Sequence, residues 1–163
     1  MMNAQGLWRL PFGGGLSILI ENRQSHRIPS MIAGQYTILV VEDELLLLDL
    51  LKEMLEGEGY RVITATDGIQ AVNLYRTEKE KISLVLSDMG LPSMGGWEVL
   101  HQLKEINPKV KVILSSGFMD TKVRHEMIQS GAKDFIQKPY TPEKVIQQIR
   151  ASILTDDVKP SGS

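Results

Sequence analysis

From Tyr36 onward, continuously apolar runs of strand length alternate with stretches in which apolar residues recur every third or fourth position. Unbroken apolar runs are what strands buried on both faces require, and the intervening period is that of helices laid over a sheet. The first run, Thr37-Ile38-Leu39-Val40-Val41, is rich in β-branched residues and predicts a central strand. A helix over 44–56 follows, with Leu45, Leu48, Leu51, Met54 and Leu55 on its apolar stripe and Gly57 and Gly59 to end it. Residues 60–65 predict a second strand, and Asp67-Gly68 turns the chain into a short helix through Ala71, Val72, Leu74 and Tyr75. Residues 82–87 predict a third strand that ends directly on Asp88.

Gly90, Pro92, Gly95 and Gly96 break the chain before a third helix through Val99, Leu100, Leu103 and Ile106, which stops near Asn107-Pro108. A fourth strand is predicted over 110–115, a fourth helix over 120–130 with Gly131 as terminator, and a short fifth strand over 134–137. Thr141 suits the cap of a last helix. Pro142 then falls at the first helical position, where its missing N–H costs nothing, and Val145, Ile146, Ile149 and Ile153 form the inward face. Strands alternating with helices predict an α/β fold, a doubly wound five-stranded parallel sheet in the order 2-1-3-4-5 with five helices on its two faces. In such sheets a ligand binds past the carboxyl ends of the strands, at the switch point between the first and third.

Residues 1–35 carry Pro11, Gly13-Gly14-Gly15, Pro29 and Gly34 without a sustained period, and are expected to form a flexible extension. The domain is expected over 36–154, and 155–163 as a disordered tail. The longest early apolar run, residues 16–20, is far short of the roughly 20 residues that span a bilayer. With its glycines, its proline and no concentrated basic region, the amino end also makes a poor signal peptide. Composition narrows the picture further: 163 residues, 42% hydrophobic, 23% charged and a formal charge of -2 suit one soluble domain with tails. No basic run or face is present, so no direct nucleic-acid contact is expected. Cysteine is absent, which excludes disulfides and thiolate metal sites, and a cytoplasmic location is expected.

The candidate chemistry falls on one edge of the predicted sheet. Glu42 and Asp43 follow the first strand and Asp88 follows the third, so adjacent parallel strands would gather three carboxylates that repel one another unless a cation joins them. Oxygen ligands with access to water suit magnesium, a hard ion. Taken alone, Glu42 and Asp43 also read as a solvated acidic start to a helix. Lys138 follows the fifth strand and Ser116 the fourth, which adds a cation and a hydroxyl to the same edge. Phosphoryl transfer needs in-line positioning and neutralised oxygen charge while a carboxylate attacks, and this set supplies both. Ser116 by itself would more often be read as a local turn donor.

Val41-Glu42-Asp43, Ser87-Asp88-Met89-Gly90-Leu91-Pro92, Ser116-Gly117 and Lys138-Pro139-Tyr140 together resemble the signature set of bacterial response-regulator receiver domains. The resemblance spans roughly residues 36 to 154 and implies a flavodoxin-like fold. It implies that Asp88 is the phosphoacceptor and that Glu42, Asp43, Asp88 and the backbone carbonyl of Gly90 hold Mg2+. It further implies that Lys138 pairs with the phosphoryl oxygens and that Ser116 is the switch hydroxyl, with Ser115 as the alternative. Phe135 matches the switch aromatic, which turns inward on activation; its other reading is core packing. The family often carries Asp at position 42 and Tyr at 135, where this chain has Glu42 and Phe135. Gly90 and Phe118 occupy positions that influence attacking water, and neither side chain can orient it, which implies a long-lived phosphoryl-aspartate. Lys138-Pro139 resembles the family's cis peptide.

A sensor histidine kinase or histidine phosphotransfer protein is the partner the resemblance implies, with a homodimer through the fourth helix, fifth strand and fifth helix as a further option. No enzymatic turnover beyond self-phosphorylation and slow self-dephosphorylation is expected. Three other readings compete. A flavodoxin-like electron carrier would need hydroxyls and glycine after the first strand, where Glu42-Asp43-Glu44 would repel a flavin phosphate. A haloacid-dehalogenase-type phosphatase would need a second Asp two residues after Asp88, where Gly90 stands. A non-phosphorylated interaction module remains the alternative. No output domain is expected within the residues after the fifth helix, so a lone receiver or one cut from a larger protein such as a hybrid kinase is expected. Gly13-Gly14-Gly15-Leu16-Ser17-Ile18 faintly resembles the nucleotide lid of histidine-kinase catalytic domains, and otherwise reads as an arbitrary leader.

Overall fold

In the computed structural model, residues 34–118 and 120–155 are described. The extension over 1–35, apart from Gly34 and Gln35, and the tail over 155–163, apart from Thr155, lie outside the described residues, as does the lid-like segment. The elements follow in the order β1 (Thr37–Val41), α1 (Leu45–Gly57), β2 (Arg61–Ala65), α2 (Gly68–Glu78), β3 (Ile82–Asp88), α3 (Gly96–Ile106), β4 (Val112–Ser116), α4 (Thr121–Gln129), β5 (Asp134–Gln137) and α5 (Pro142–Leu154). The sheet is parallel, in the expected order β2-β1-β3-β4-β5.

Alternation along each strand divides the core in two. Leu39, Val41, Val85, Val112, Leu114 and Phe135 pack under α2, α3 and α4 through Val72, Tyr75, Leu100, Leu103 and Met127. Ile38, Val40, Leu84, Leu86, Ile113 and Ile136 face the other way, under Leu48, Leu51 and Leu55 of α1 and Val145, Ile149 and Ile153 of α5. Both faces of the sheet are therefore covered, which is why the strand runs are apolar without interruption. No helix of the described residues is long and apolar enough to cross a membrane.

Local signals place the helix ends well. The Asp67 carboxylate accepts the Gln70 N–H at 2.8 Å, and the Gln70 side chain reaches back to the Thr66 N–H at 2.8 Å. Removing this N-terminal cap leaves a donor of α2 unpaired, so Asp67→Ala is expected to lower stability by about 1 kcal/mol, read from a urea midpoint at unchanged slope. Thr141 caps α5 and Pro142 begins it, as expected.

The structure departs from the sequence reading at three edges. Asp88 and Ser116 close their strands rather than following them, because Met89 N–H still bonds to Ser115 O and Lys138 N–H to Ser116 O. β4 begins at Val112, two residues later than expected, since Val110 N–H is spent on the Asn107 carbonyl in the preceding turn. Leu45 is 63% exposed although it continues the apolar stripe of α1. The first turn of α1 directly follows the loop at the carboxyl edge of β1, where the sheet beneath it has ended.

Candidate functional site

Strand register builds the site. Val41 pairs with Ser87, so Glu42 and Asp43 leave β1 beside Asp88 at the end of β3. Asp88 pairs in turn with Ser115 on β4, and Ser116 pairs with Gln137 on β5, which sets Lys138 just past the same edge. Ligand oxygens of Glu42, Asp43 and Asp88 all lie within 4.8 Å of one another. Lys138 Nζ reaches into this cluster, 3.0 Å from Asp88 Oδ1 and 2.9 Å from Glu42 Oε2.

The side chains differ in their access to water. Glu42 is 3% exposed and Asp88 8%, whereas Asp43 is exposed. Burial pushes the Glu42 carboxyl up from the ordinary range, against the pull of the Lys138 ammonium. Burial alone would lower Lys138, but its bonds to Glu42 and Asp88 override that and hold it firmly protonated, above the ordinary lysine value. The remaining Asp88 oxygen, Oδ2, accepts the Gly90 N–H at 3.0 Å, and Glu42 Oε1 accepts the Glu44 N–H at 3.3 Å. Burial also pushes the Tyr140 phenol up to about 12, beside the same charged group. The Lys138–Pro139 peptide is cis.

Every charged residue expected at this edge is therefore brought together. The donor set, carboxylate oxygen only, fits a hard divalent cation with room for water on the Asp43 side. Gly90 joins the site through its N–H. Ser116 stands at the expected strand end, but its hydroxyl is turned into a local loop: it donates to Phe118 O at 2.8 Å and accepts from Phe118 N at 3.2 Å. Ser115, the alternative hydroxyl, is buried beside Asp88. Phe135 is 4% exposed and packs into the core under α3 and α4, so the aromatic already lies inward.

Gly96 is a site residue that sequence reasoning recognised only as a chain breaker. A Cβ at this position would collide with the Asp88 carbonyl oxygen and lie 2.9 Å from Met89 Cα. The absence of a side chain thus lets the first turn of α3 close directly against the backbone that carries Asp88. The Gly95-Gly96 pair was the only signal, and composition alone does not tell a turn glycine from a close-approach glycine.

A parallel α/β domain that sets a carboxylate, flanked by two more and by a lysine, at its switch point belongs to the class of phosphoacceptor signalling domains. Residues 38–150 match the response regulator receiver domain family, and the chain belongs to it. It is 34% identical over 115 residues to the probable transcriptional regulatory protein TcrX of Mycobacterium tuberculosis, covering 71% of this chain and 48% of that protein. It is 34% identical over 113 residues to the chemotaxis protein CheY of Thermotoga maritima, covering 69% of this chain and 92% of CheY. A chain of the CheX–CheY–BeF3–Mg2+ complex from Borrelia burgdorferi superposes with a TM-score of 0.69 at 30% identity, over 76% of this chain and 90% of that one. The chain spans about half the length of TcrX, and nearly all of CheY. It is a receiver of two-component signalling with the flavodoxin-like fold.

Proposed function

We propose that Asp88 accepts a phosphoryl group from a phosphohistidine on a sensor histidine kinase or a histidine phosphotransfer protein. The observation that carries this is the contact of Lys138 Nζ with Asp88 Oδ1 at 3.0 Å, inside a carboxylate cluster at the end of β3. Asp88 attacks phosphorus with one carboxylate oxygen while the phosphorus–nitrogen bond breaks, and the departing imidazole keeps the electron pair. Lys138 neutralises charge on the transferring oxygens, and the Gly90 N–H fixes the Asp88 rotamer. Glu42, Asp43, Asp88 and the Gly90 carbonyl would hold Mg2+, which offsets phosphoryl charge when bound. The B. burgdorferi complex, a CheX–CheY–BeF3–Mg2+ assembly, supports that choice of ion.

For Ser116 to bond a phosphoryl oxygen, its two bonds with Phe118 must break, which releases the loop between β4 and α4. That release alters the surface formed by α4, β5 and α5, where a target or a second copy would dock. Phe135 then reports the change by repacking within the core rather than by entering it. Gly90 and the exposed Phe118 offer attacking water no acidic or amide group, which favours a long phosphoryl lifetime. Self-dephosphorylation is a slow hydrolysis, in which water attacks phosphorus, the bond to the Asp88 oxygen breaks and inorganic phosphate leaves with the carboxylate restored; no other turnover is assigned. A cytoplasmic setting and a protein rather than nucleic-acid partner accord with the acidic, cysteine-free composition.

The test is intact mass after incubation with acetyl phosphate and Mg2+. One added phosphoryl group, about 80 Da, is expected, and EDTA should abolish it. A folded protein that gains no mass from acetyl phosphate or from a competent phosphohistidine donor would instead be an interaction module.

A further inference from the structure

We infer that Gly68, the first residue of α2, is a positioning residue for the loop between β3 and α3, and that α2 acts through this loop on how the site holds a divalent cation. This rests on the reading of Glu42, Asp43, Asp88 and the Gly90 carbonyl as the cation site. A Cβ at position 68 would collide with the Met94 carbonyl oxygen and lie 2.7 Å from Val99 Cγ2 and 2.8 Å from Met94 Cβ. The loop carbonyl thus occupies the place where any other residue would begin its side chain, and only glycine permits that approach. Gly68 itself is buried, so the contact is part of the packed structure and not a surface touch.

Of the two sides of this contact, the loop is the one that can move. The first turn of α2 is held by the Asp67 carboxylate, which accepts the Gln70 N–H at 2.8 Å, and by Ala71, Val72 and Tyr75 in the core. The loop is anchored at its start, where the Met89 N–H donates to Ser115 O at 2.9 Å and Met89 O accepts the Gly96 N–H at 3.1 Å. Beyond Met89 two short-range bonds shape it: the Gly90 N–H donates to Asp88 Oδ2 at 3.0 Å, and the Met94 N–H to Pro92 O at 2.7 Å. Ser93 makes the turn in the left-handed region, at φ 65°. With the Pro92 ring fixing φ, a turn this tight passes a push at Met94 back to Gly90 instead of absorbing it. Asp88 stays in register with Ser115, so the strain falls on Gly90. That separates Gly68 from Gly96, whose contact is with the Asp88 backbone.

Calorimetric titration with Mn2+ tests this on the full chain, with far-UV circular dichroism confirming that each variant is folded. Gly68→Ala is expected to bind Mn2+ about tenfold more weakly than wild type. Leu55→Ala, a cavity in the core on the opposite face of the sheet, should bind as wild type does, because lost stability alone leaves the folded site unchanged. Adding Val99→Ala to Gly68→Ala removes the Cγ2 contact but leaves the Met94 carbonyl in place, so the weakening should persist. Amide exchange in the wild type reads the same coupling without a substitution. Mg2+ should slow exchange at Met94 and, together with it, at Gln70 and Ala71 in the first turn of α2, by about threefold. Unchanged Mn2+ affinity in folded Gly68→Ala would overturn the inference, as would slowing that stops at the loop. Recovery of wild-type affinity on adding Val99→Ala would also overturn it, since the collision would then be with α3 and not with the loop. A wild type that binds no Mn2+ would overturn the reading of the cation site, and the inference with it.

Discussion

Asp88→Asn is expected to take up no phosphoryl group from acetyl phosphate or a phosphohistidine donor, a loss of at least about 1,000-fold in rate. Asparagine has the shape of the native side chain, but its amide is not a nucleophile and cannot carry the acyl phosphate. The variant should nevertheless fold. Glu42 still pairs Lys138 at 2.9 Å, so the ammonium is not left buried without a partner. Charge crowding falls as well, because one of three carboxylates within 4.8 Å of one another is neutralised. The urea midpoint of the metal-free variant should match or exceed that of wild type, with complete loss of the mass increase. Residual labelling on another residue would show that the acceptor had been misassigned.

Gly96→Ala should have a large effect for a single added methyl group, because it strikes the backbone that carries Asp88. At an exposed helix start this exchange would help slightly, since alanine restricts the unfolded chain. Here the added carbon meets backbone: the Asp88 carbonyl oxygen, Met89 Cα at 2.9 Å and the Asp88 carbonyl carbon at 3.1 Å. Backbone at the end of a central strand cannot yield as a flexible side chain does. Either α3 moves away or the end of β3 shifts with Asp88 on it. A stability loss of about 3 kcal/mol is expected from urea unfolding. Phosphorylation at equal folded concentration should slow by about 10- to 100-fold, because a displacement of about 1 Å at the nucleophile spoils in-line geometry. Gly95→Ala is the control. Its nearest contact would be the Met89 carbonyl oxygen at 3.3 Å, so both effects should be small.

The two glycines are adjacent, yet only the fold separates their roles. The same holds for the hydroxyls. Ser115 and Ser116 are neighbours in sequence, and strand alternation buries Ser115 beside Asp88 while Ser116 closes a turn on Phe118. The resemblance to receiver domains implied that Ser116 is the switch residue, but no sequence motif reveals where its hydroxyl points. For Phe135 the aromatic position was legible, and its burial was not, because a strand-borne phenylalanine three residues before Lys138 satisfies both the core and the switch reading.

What the sequence determined by itself was the α/β class, the strand order and the edge on which the chemistry falls. Those properties follow from local periodicity, from glycine and proline punctuation and from the handedness of parallel crossovers, all of which are written into short stretches of chain. The tertiary structure alone decided which charges touch. Glu42 and Lys138 are 96 residues apart along the chain, and their contact depends on strand register, on the spacing of four strands and on the length of two side chains together. It also decided that Gly96 must lack a side chain and that Leu45, despite its place in an apolar stripe, faces outward. Contacts between distant segments are set by how whole elements pack, and local pattern carries no record of that distance.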